Sequence, residues 1–213
     1  MKLLPIQYLL FSAACIFCVG CSSEYKHLRA INNPDAGCIE RVIPKHINTS
    51  WYHASVDVVG NHISGLLLIK NMPDSVYRIV FTNEAGVTFF DFGFSAEGDF
   101  KVHNVIKQLD KGPVIQTLRK DFELILGLPF RGKTVQGWTN QDEIFYGVKQ
   151  KKETAYFITS KDCASLRRLE LGSPRKRKVT VDLSEQAYPL PAKIELKHHT
   201  FNMQITLTRF EKE

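Results

Sequence analysis

The sequence predicts a mainly β protein with one prominent helix: a curved antiparallel sheet of about eleven strands with a covering amphipathic helix. Three observations carry this. From Trp51 onward, apolar residues recur at every second position in a series of short segments. Short turns rich in Gly, Asn, Asp and Pro separate the segments, which makes sequential neighbours antiparallel. One segment alone, 113–127, changes to three- and four-residue apolar spacing.

The elements follow in order. Tyr52, Ala54, Val56 and Val58 alternate with His53, Ser55 and Asp57, and Gly60 with Asn61 turns the chain into a second strand at 63–70. Pro73 and Asp74 lead to a third, 76–83, in which Tyr77, Ile79 and Phe81 share a face. Glu84, Ala85 and Gly86 lead to 87–94, where Phe90, Phe92 and Phe94 line one face and Asp91 and Gly93 the other. Glu97, Gly98 and Asp99 turn into 100–106 and complete a five-strand meander. The helix follows: Val114, Ile115, Leu118, Phe122, Ile125 and Leu126 form its apolar stripe, Arg119, Lys120 and Glu123 lie between them, and Gly127 and Pro129 end it. Strands resume at 143–149, 154–160, 165–171, 176–183, 193–198 and 202–209. In 193–198, Ile194, Leu196 and His198 alternate with Lys193, Glu195 and Lys197. This spacing fits a sandwich or a barrel, and an apolar helix needs an apolar sheet face, which a sheet curved around it supplies.

The N-terminus has a different layout. Lys2 is the only charge in the first 20 residues, an apolar run follows, and polarity rises at Ser22, Ser23 and Glu24. This is the layout of a secretory signal peptide. Cys15, Cys18 and Cys21 give two overlapping C-x-x-C spacings, but no strand–helix context of a redox site accompanies them, and the first two lie in the apolar run. Gly20 followed by Cys21 resembles the lipobox of bacterial lipoproteins, with Cys18 at the position where that family usually has Leu. The resemblance implies cleavage before Cys21, a diacylglyceryl thioether on Cys21 and acylation of the new amine, with palmitate among the expected chains. The expected organisation is a lipoprotein signal peptide at 1–20, a lipid anchor and polar tether at 21–50, and a single domain at 51–213. The acylated Cys21 makes membrane lipid the first expected partner.

The chain has 213 residues, a formal net charge of +6 and a pI near 9.0. The densest basic run is Arg175-Lys176-Arg177-Lys178, which reads as a solvated loop or edge guard, with anionic lipid as the other candidate contact. A secretory signal and the lack of any nucleic-acid motif argue against nucleic acid as a partner. Beyond Cys21, the mature chain keeps Cys38 and Cys163, an even pair in an oxidising compartment. They are expected either to form a disulfide or to be two unrelated buried thiols. His53, His62, His103, His198 and His199 show no metal-ligand spacing, so no metal or other cofactor is expected. Asp91, the odd acid in an aromatic strand, is expected to face outward and pair with a cross-strand partner. No nucleophile elbow, zinc-protease or phosphate-loop pattern occurs, and no enzymatic activity is expected.

The stretch Thr88-Phe89-Phe90-Asp91-Phe92-Gly93-Phe94 is the densest aromatic patch. Inward aromatics of this kind build either a filled core or the wall of an apolar cavity, and both need the same residues. A lipobox followed by antiparallel strands and a covering helix resembles the LolA/LolB group, the Gram-negative lipoprotein carrier and its outer-membrane receptor. The resemblance implies an unclosed β-barrel whose apolar cavity holds acyl chains, and the lipobox points to the receptor side. In that receptor a protruding apolar residue occupies the loop between the third and fourth strands; here that loop, Asn83-Glu84-Ala85-Gly86, carries no Leu or Phe. The expected function is therefore an outer-membrane lipoprotein, on the periplasmic face, that binds a lipid or lipoprotein ligand. The candidate lining is Ile79, Phe81, Phe90, Phe92, Phe94, Leu118, Phe122 and Tyr146. The other reading is a lipid-anchored structural or envelope-assembly module that binds a protein partner.

Overall fold

The computed structural model describes residues 23–42, 49–74, 76–184 and 190–210. The predicted signal peptide and Cys21 lie outside the described residues.

The period-two segments form one antiparallel sheet of 13 strands in the order β1-β7-β8-β9-β10-β11-β12-β13-β2-β3-β4-β5-β6. The first run is β2 (Thr49–Val58), β3 (Asn61–Asn71), β4 (Tyr77–Thr82), β5 (Thr88–Phe94) and β6 (Phe100–Val105), the predicted meander. The second is β8 (Glu143–Gln150), β9 (Glu153–Ser160), β10 (Leu166–Gly172), β11 (Arg177–Ser184), β12 (Lys193–His198) and β13 (Met203–Arg209). β13 pairs with β2 and joins the two runs, so the last strand closes onto the first of the meander, while β1 and β6 remain as the two edges. The sheet curls but does not close. Two strands exceed the predicted eleven: β1 (Arg29–Ile31) and β7 (Gln136–Thr139), three and four residues long, which pair with each other.

Helix α2 (Gly112–Ile125) covers the concave face. Leu118, Phe122 and Ile125 are buried beneath it, and the Phe122 ring meets Phe90 at 5.7 Å and Phe94 at 6.5 Å between centroids. The β5 row continues outward into Phe100 of β6, 5.3 Å from Phe92 and 5.2 Å from Phe94. Arg119 of α2 lies 5.0 Å over the Phe100 ring and ties the helix to that edge. Asp91 faces the convex side and hydrogen-bonds Arg78 of β4, with 2.8 Å from Nε to Oδ1. At the β3–β4 corner the backbone makes a close approach: a Cβ on Gly65 would lie 2.1 Å from the Thr82 carbonyl oxygen, so only glycine permits the bend.

Within the stretch expected to be a tether, residues 23–42 pack onto the domain. Helix α1 (Ala36–Val42) buries Cys38 and Ile39 in the main core, and Cys38 is disulfide-bonded to Cys163 in the β9–β10 turn, with the Cα atoms 5.8 Å apart. Residues 23–28 lie across the convex face of β9 to β11. Tyr25 stacks on Tyr156 at 4.7 Å, and a second small apolar cluster of Phe145, Tyr156 and Ile158 is covered by Tyr25, Leu28 and Trp138. Beneath this strap Glu170 is fully buried, and its carboxylate accepts hydrogen bonds from Tyr25 Oη (2.9 Å) and Arg168 Nε (2.7 Å), with Arg177 Nε ion-paired at 3.0 Å. A buried carboxylate is tolerated only with such a complete set of partners. Burial and the Glu170 charge together push the Tyr25 phenol well above its ordinary pKa. The consecutive apolar residues of β9 are explained by this second covered face.

Candidate functional site

Side-chain size sets where the space under α2 is filled. On β4 and β5 the concave row is aromatic, and Phe90 and Phe94 meet the Phe122 ring. On β2 and β3 the corresponding row has no aromatic beyond Tyr52: it continues as Ala54, Val56 and Val58 on β2 and as Gly65 and Ile63 on β3. Opposite them, the first turns of α2 present Pro113, Val114 and Thr117, which are short. The mismatch leaves an apolar groove of about 490 Å³. Small-ligand pockets span about 300–1,000 Å³, so the groove is of a size to take one extended apolar chain. Val56, Val58 and Met203 form one wall, Phe81, Phe89 and Phe90 the other, and Leu109 with the start of α2 the roof. Asn61 and Thr117 are the polar residues of the lining. The groove opens to solvent at the turn end of β2 and β13, where Val59 is 70% and Phe201 42% exposed.

Of the eight residues expected to line a cavity, Phe81, Phe90 and Leu118 line this groove. Ile79, Phe92, Phe94, Phe122 and Tyr146 do not line it and belong to the buried core cluster, each at 1% exposure or less. The densest aromatic patch thus packs the interior on one side, and the open space borders it. Sequence reasoning missed the smaller residues Val56, Val58, Ile63, Val114 and Met203. The available signal was inward aliphatic positions without aromatics, Val56, Val58 and Ile63, facing the short Pro113, Val114 and Thr117 on the helix.

It also missed a buried polar pair beside the groove. Asp121 of α2 and His198 of β12 are 2% and 5% exposed, with Asp121 Oδ2 3.0 Å from His198 Nε2. Phe201, on the groove rim, packs against the His198 ring at 4.5 Å. Burial raises the Asp121 carboxyl pKa, and the His198 hydrogen bond offsets this in part. The pair ties α2 to the end of β12 beside the groove. His199, the next residue, meets Thr180 Oγ1 at 2.8 Å. Among the described residues no group of three or more His, Cys, Asp or Glu is placed to hold a metal ion, and no helix is long and apolar enough to cross a membrane.

No family model matches the sequence, and no curated protein matches it. Solved structures do. A LolA superfamily protein from Nitrosomonas europaea aligns with a TM-score of 0.52 at 8% identity, over 84% of this chain and 93% of its own. A DUF1329 family protein from Desulfovibrio piger aligns with a TM-score of 0.46 at 12% identity, over 83% of this chain and 88% of its own. The feature shared with the Nitrosomonas europaea protein is the fold, a LolA/LolB-like unclosed barrel with a covering helix.

Proposed function

We propose that this protein is an outer-membrane-anchored lipoprotein that holds an acyl chain, from a free lipid or a lipoprotein, in the groove between α2 and the β2–β3–β13 corner. One observation carries the reading: an apolar groove of about 490 Å³ that is open at one end and has two polar residues in its lining. A chain entering it gains about 0.8 kcal/mol per buried methylene, and the groove offers no charged group to anchor a polar head inside. The LolA superfamily neighbour supports a carrier-type fold, and the lipobox-like Gly20-Cys21 supports anchoring through an acylated Cys21. The proposed role is binding rather than catalysis, on the periplasmic face.

The test is native mass spectrometry of the full chain purified from membranes, beside Val114→Trp, which places an indole in the groove roof. The parent should carry a co-purified lipid in addition to its own acyl groups, and the variant should lose it while unfolding at the same temperature. A parent without bound lipid, or equal retention in the variant, would sink the reading. The second reading, an assembly module, is favoured by β6: it is a sheet edge with Lys101, Val102, His103 and Asn104 exposed, able to receive a strand from a partner. A stoichiometric protein cross-linked to β6 in membranes, with an empty groove, would be its signature.

A further inference from the structure

The barrel has two ends of opposite electrostatic character, and the groove opens at one of them. The strand register fixes which turns share an end. Gly172 pairs with Arg177 and with Thr154, His198 with Val179, Met203 with Val58, and Val58 with Asn61. Backbone hydrogen bonds link the turns themselves: His199 N–H donates to the Lys178 carbonyl (2.8 Å) and Val59 N–H to the Asn202 carbonyl (2.9 Å). Turns 151–152, 173–176, 199–202 and 59–60 therefore form one continuous rim. Lys151, Lys152, Arg175 and Lys176 stand on it, all exposed, and none forms an ion pair among the described residues. These four turns contain no acid. Lys107 and Lys111, with Asp110, lie in the loop entering α2 at the same end; Glu84 lies in the β4–β5 turn, which is set back because Thr82 pairs with Leu66 rather than with the tip of β3. At the opposite end the described turns between strands carry Asp74, Glu97, Asp99, Asp142 and Asp162 against Lys161, and the loop leaving α2 adds Arg131, which donates to Tyr77 Oη (3.0 Å).

Two further observations fall on the basic rim. The exposed apolar tips Val59 and Phe201 stand there, beside the groove mouth. The first described residues also lie there: Ser23 Oγ donates to the Pro174 carbonyl (2.7 Å), Glu24 N–H to the Arg175 carbonyl (3.4 Å), and the Glu24 carboxylate accepts from the Arg177 N–H. Cys21 is two residues before Ser23, a reach of at most about 7 Å.

We infer that this rim is the face by which the protein lies on an anionic phospholipid bilayer, with Lys151, Lys152, Arg175 and Lys176 against lipid phosphates and Val59 and Phe201 dipping into the interface. The inference deepens the proposed function and rests on it for the anchor at Cys21. Each Lys or Arg close to an anionic membrane strengthens attraction about fivefold, and apolar tips amid cations suit the interface. An acylated Cys21 beside the Pro174-Arg175 turn would hold this rim, rather than the acidic end, against the bilayer. The groove mouth would then face the membrane, and a chain could pass between bilayer and groove without crossing water.

The experiment uses the full chain reconstituted in nanodiscs of phosphatidylcholine, with or without phosphatidylglycerol, containing headgroup-spin-labelled lipid. Phe201→Trp puts an indole on the rim; the native Trp51 lies seven residues up β2, about 23 Å away along the strand. The indole introduced by Phe201→Trp should be quenched several-fold more than the parent's tryptophans in anionic nanodiscs. High salt, or the combined reversal Lys151→Glu, Lys152→Glu, Arg175→Glu and Lys176→Glu, should lower that quenching clearly, leaving the part that the Cys21 anchor supplies. An unquenched rim indole, or quenching that neither salt nor reversal diminishes, overturns the inference. The salt arm needs no charge variant and so stands even if the reversal impairs folding. Co-purified lipid retained while rim quenching is absent removes this inference alone; rim quenching without co-purified lipid removes the groove reading alone.

Discussion

Removing the disulfide between Cys38 and Cys163 gives a sharp test of how the N-terminal segment is held. The bridge spans a sequence separation of 125 residues. In the chain-entropy model a closed loop of that length restricts the unfolded chain by about 5 kcal/mol. Changing both cysteines to alanine also empties the fully buried Cys38 site, where Sγ lies 3.9 Å from Thr159 Oγ1, so the native-state loss adds to that figure. With a urea slope of about 2–3 kcal/mol/M for a domain of this size, the unfolding midpoint should fall by about 2 M. The assay is equilibrium urea unfolding of the full chain, oxidised, reduced and as Cys38→Ala/Cys163→Ala, monitored by tryptophan fluorescence. Hydrogen exchange should show residues 36–42 losing protection before the β2–β5 meander, since α1 is one attachment point of the bridge. Coincident midpoints for oxidised and reduced protein would refute the reasoning, as would two alkylatable thiols in the native chain.

Two pH predictions follow from the buried Asp121 and the half-buried Glu143, with opposite signs. Burial raises the pKa of Asp121 in the folded protein, so the fold favours its protonated form. Its contribution to stability is complete below the ordinary aspartate value and is lost as pH rises through the raised one. Asp121→Asn should remove that slope from a plot of urea midpoint against pH while keeping an amide beside His198; parallel curves for the two proteins would show that Asp121 is not the group responsible. For Glu143 burial also pushes upward, but the hydrogen bonds and charge of Arg168 outweigh it and hold the carboxyl below its ordinary range. The stability it supplies is present above the ordinary glutamate value and lost as pH falls through the lowered one. Glu143→Gln should therefore cost about 1–3 kcal/mol at neutral pH and progressively less in acid, and a cost independent of pH would argue against the Arg168 ion pair as its source.

The sheet was legible because period-two alternation is a local property. The meander from β2 to β6 and the helix of 112–125 follow from spacing alone, and Asp91 was recognisable as an outward acid because its neighbours on β5 are inward phenylalanines. β1 and β7 were not legible, since three and four residues cannot display an alternation and Gly137 interrupts one of them. α1 is a seven-residue helix whose attachment depends on Cys163, 125 residues away. The strap of 23–28 was hidden for a related reason: its anchor is the Glu170 carboxylate, and polar residues such as Tyr25 and Glu24 read locally as tether. Asp121 and His198, 77 residues apart, gave one hint, the histidine's place on the inward row with Ile194 and Leu196.

The groove shows why inward position and cavity wall are different statements. Large aromatic rings on facing positions fill an interior, because each brings enough volume to reach its partner: Phe90, Phe92 and Phe94 meet Phe100 and Phe122 at centroid distances of 4.6 to 6.5 Å when the stacked Phe90–Phe92 pair is included. Space persists where short residues face short residues across the same helix–sheet gap, here Val56, Val58 and Ile63 beneath Pro113, Val114 and Thr117. The curvature of the sheet cannot close that gap, because β4 and β5 set the height of α2 through Phe122 and the Asp121–His198 pair sets it again on β12. Two rigid supports on either side of short residues make an opening that collapses only if a support is removed. The apolar space is thus a consequence of where the aromatics are, without being made of them.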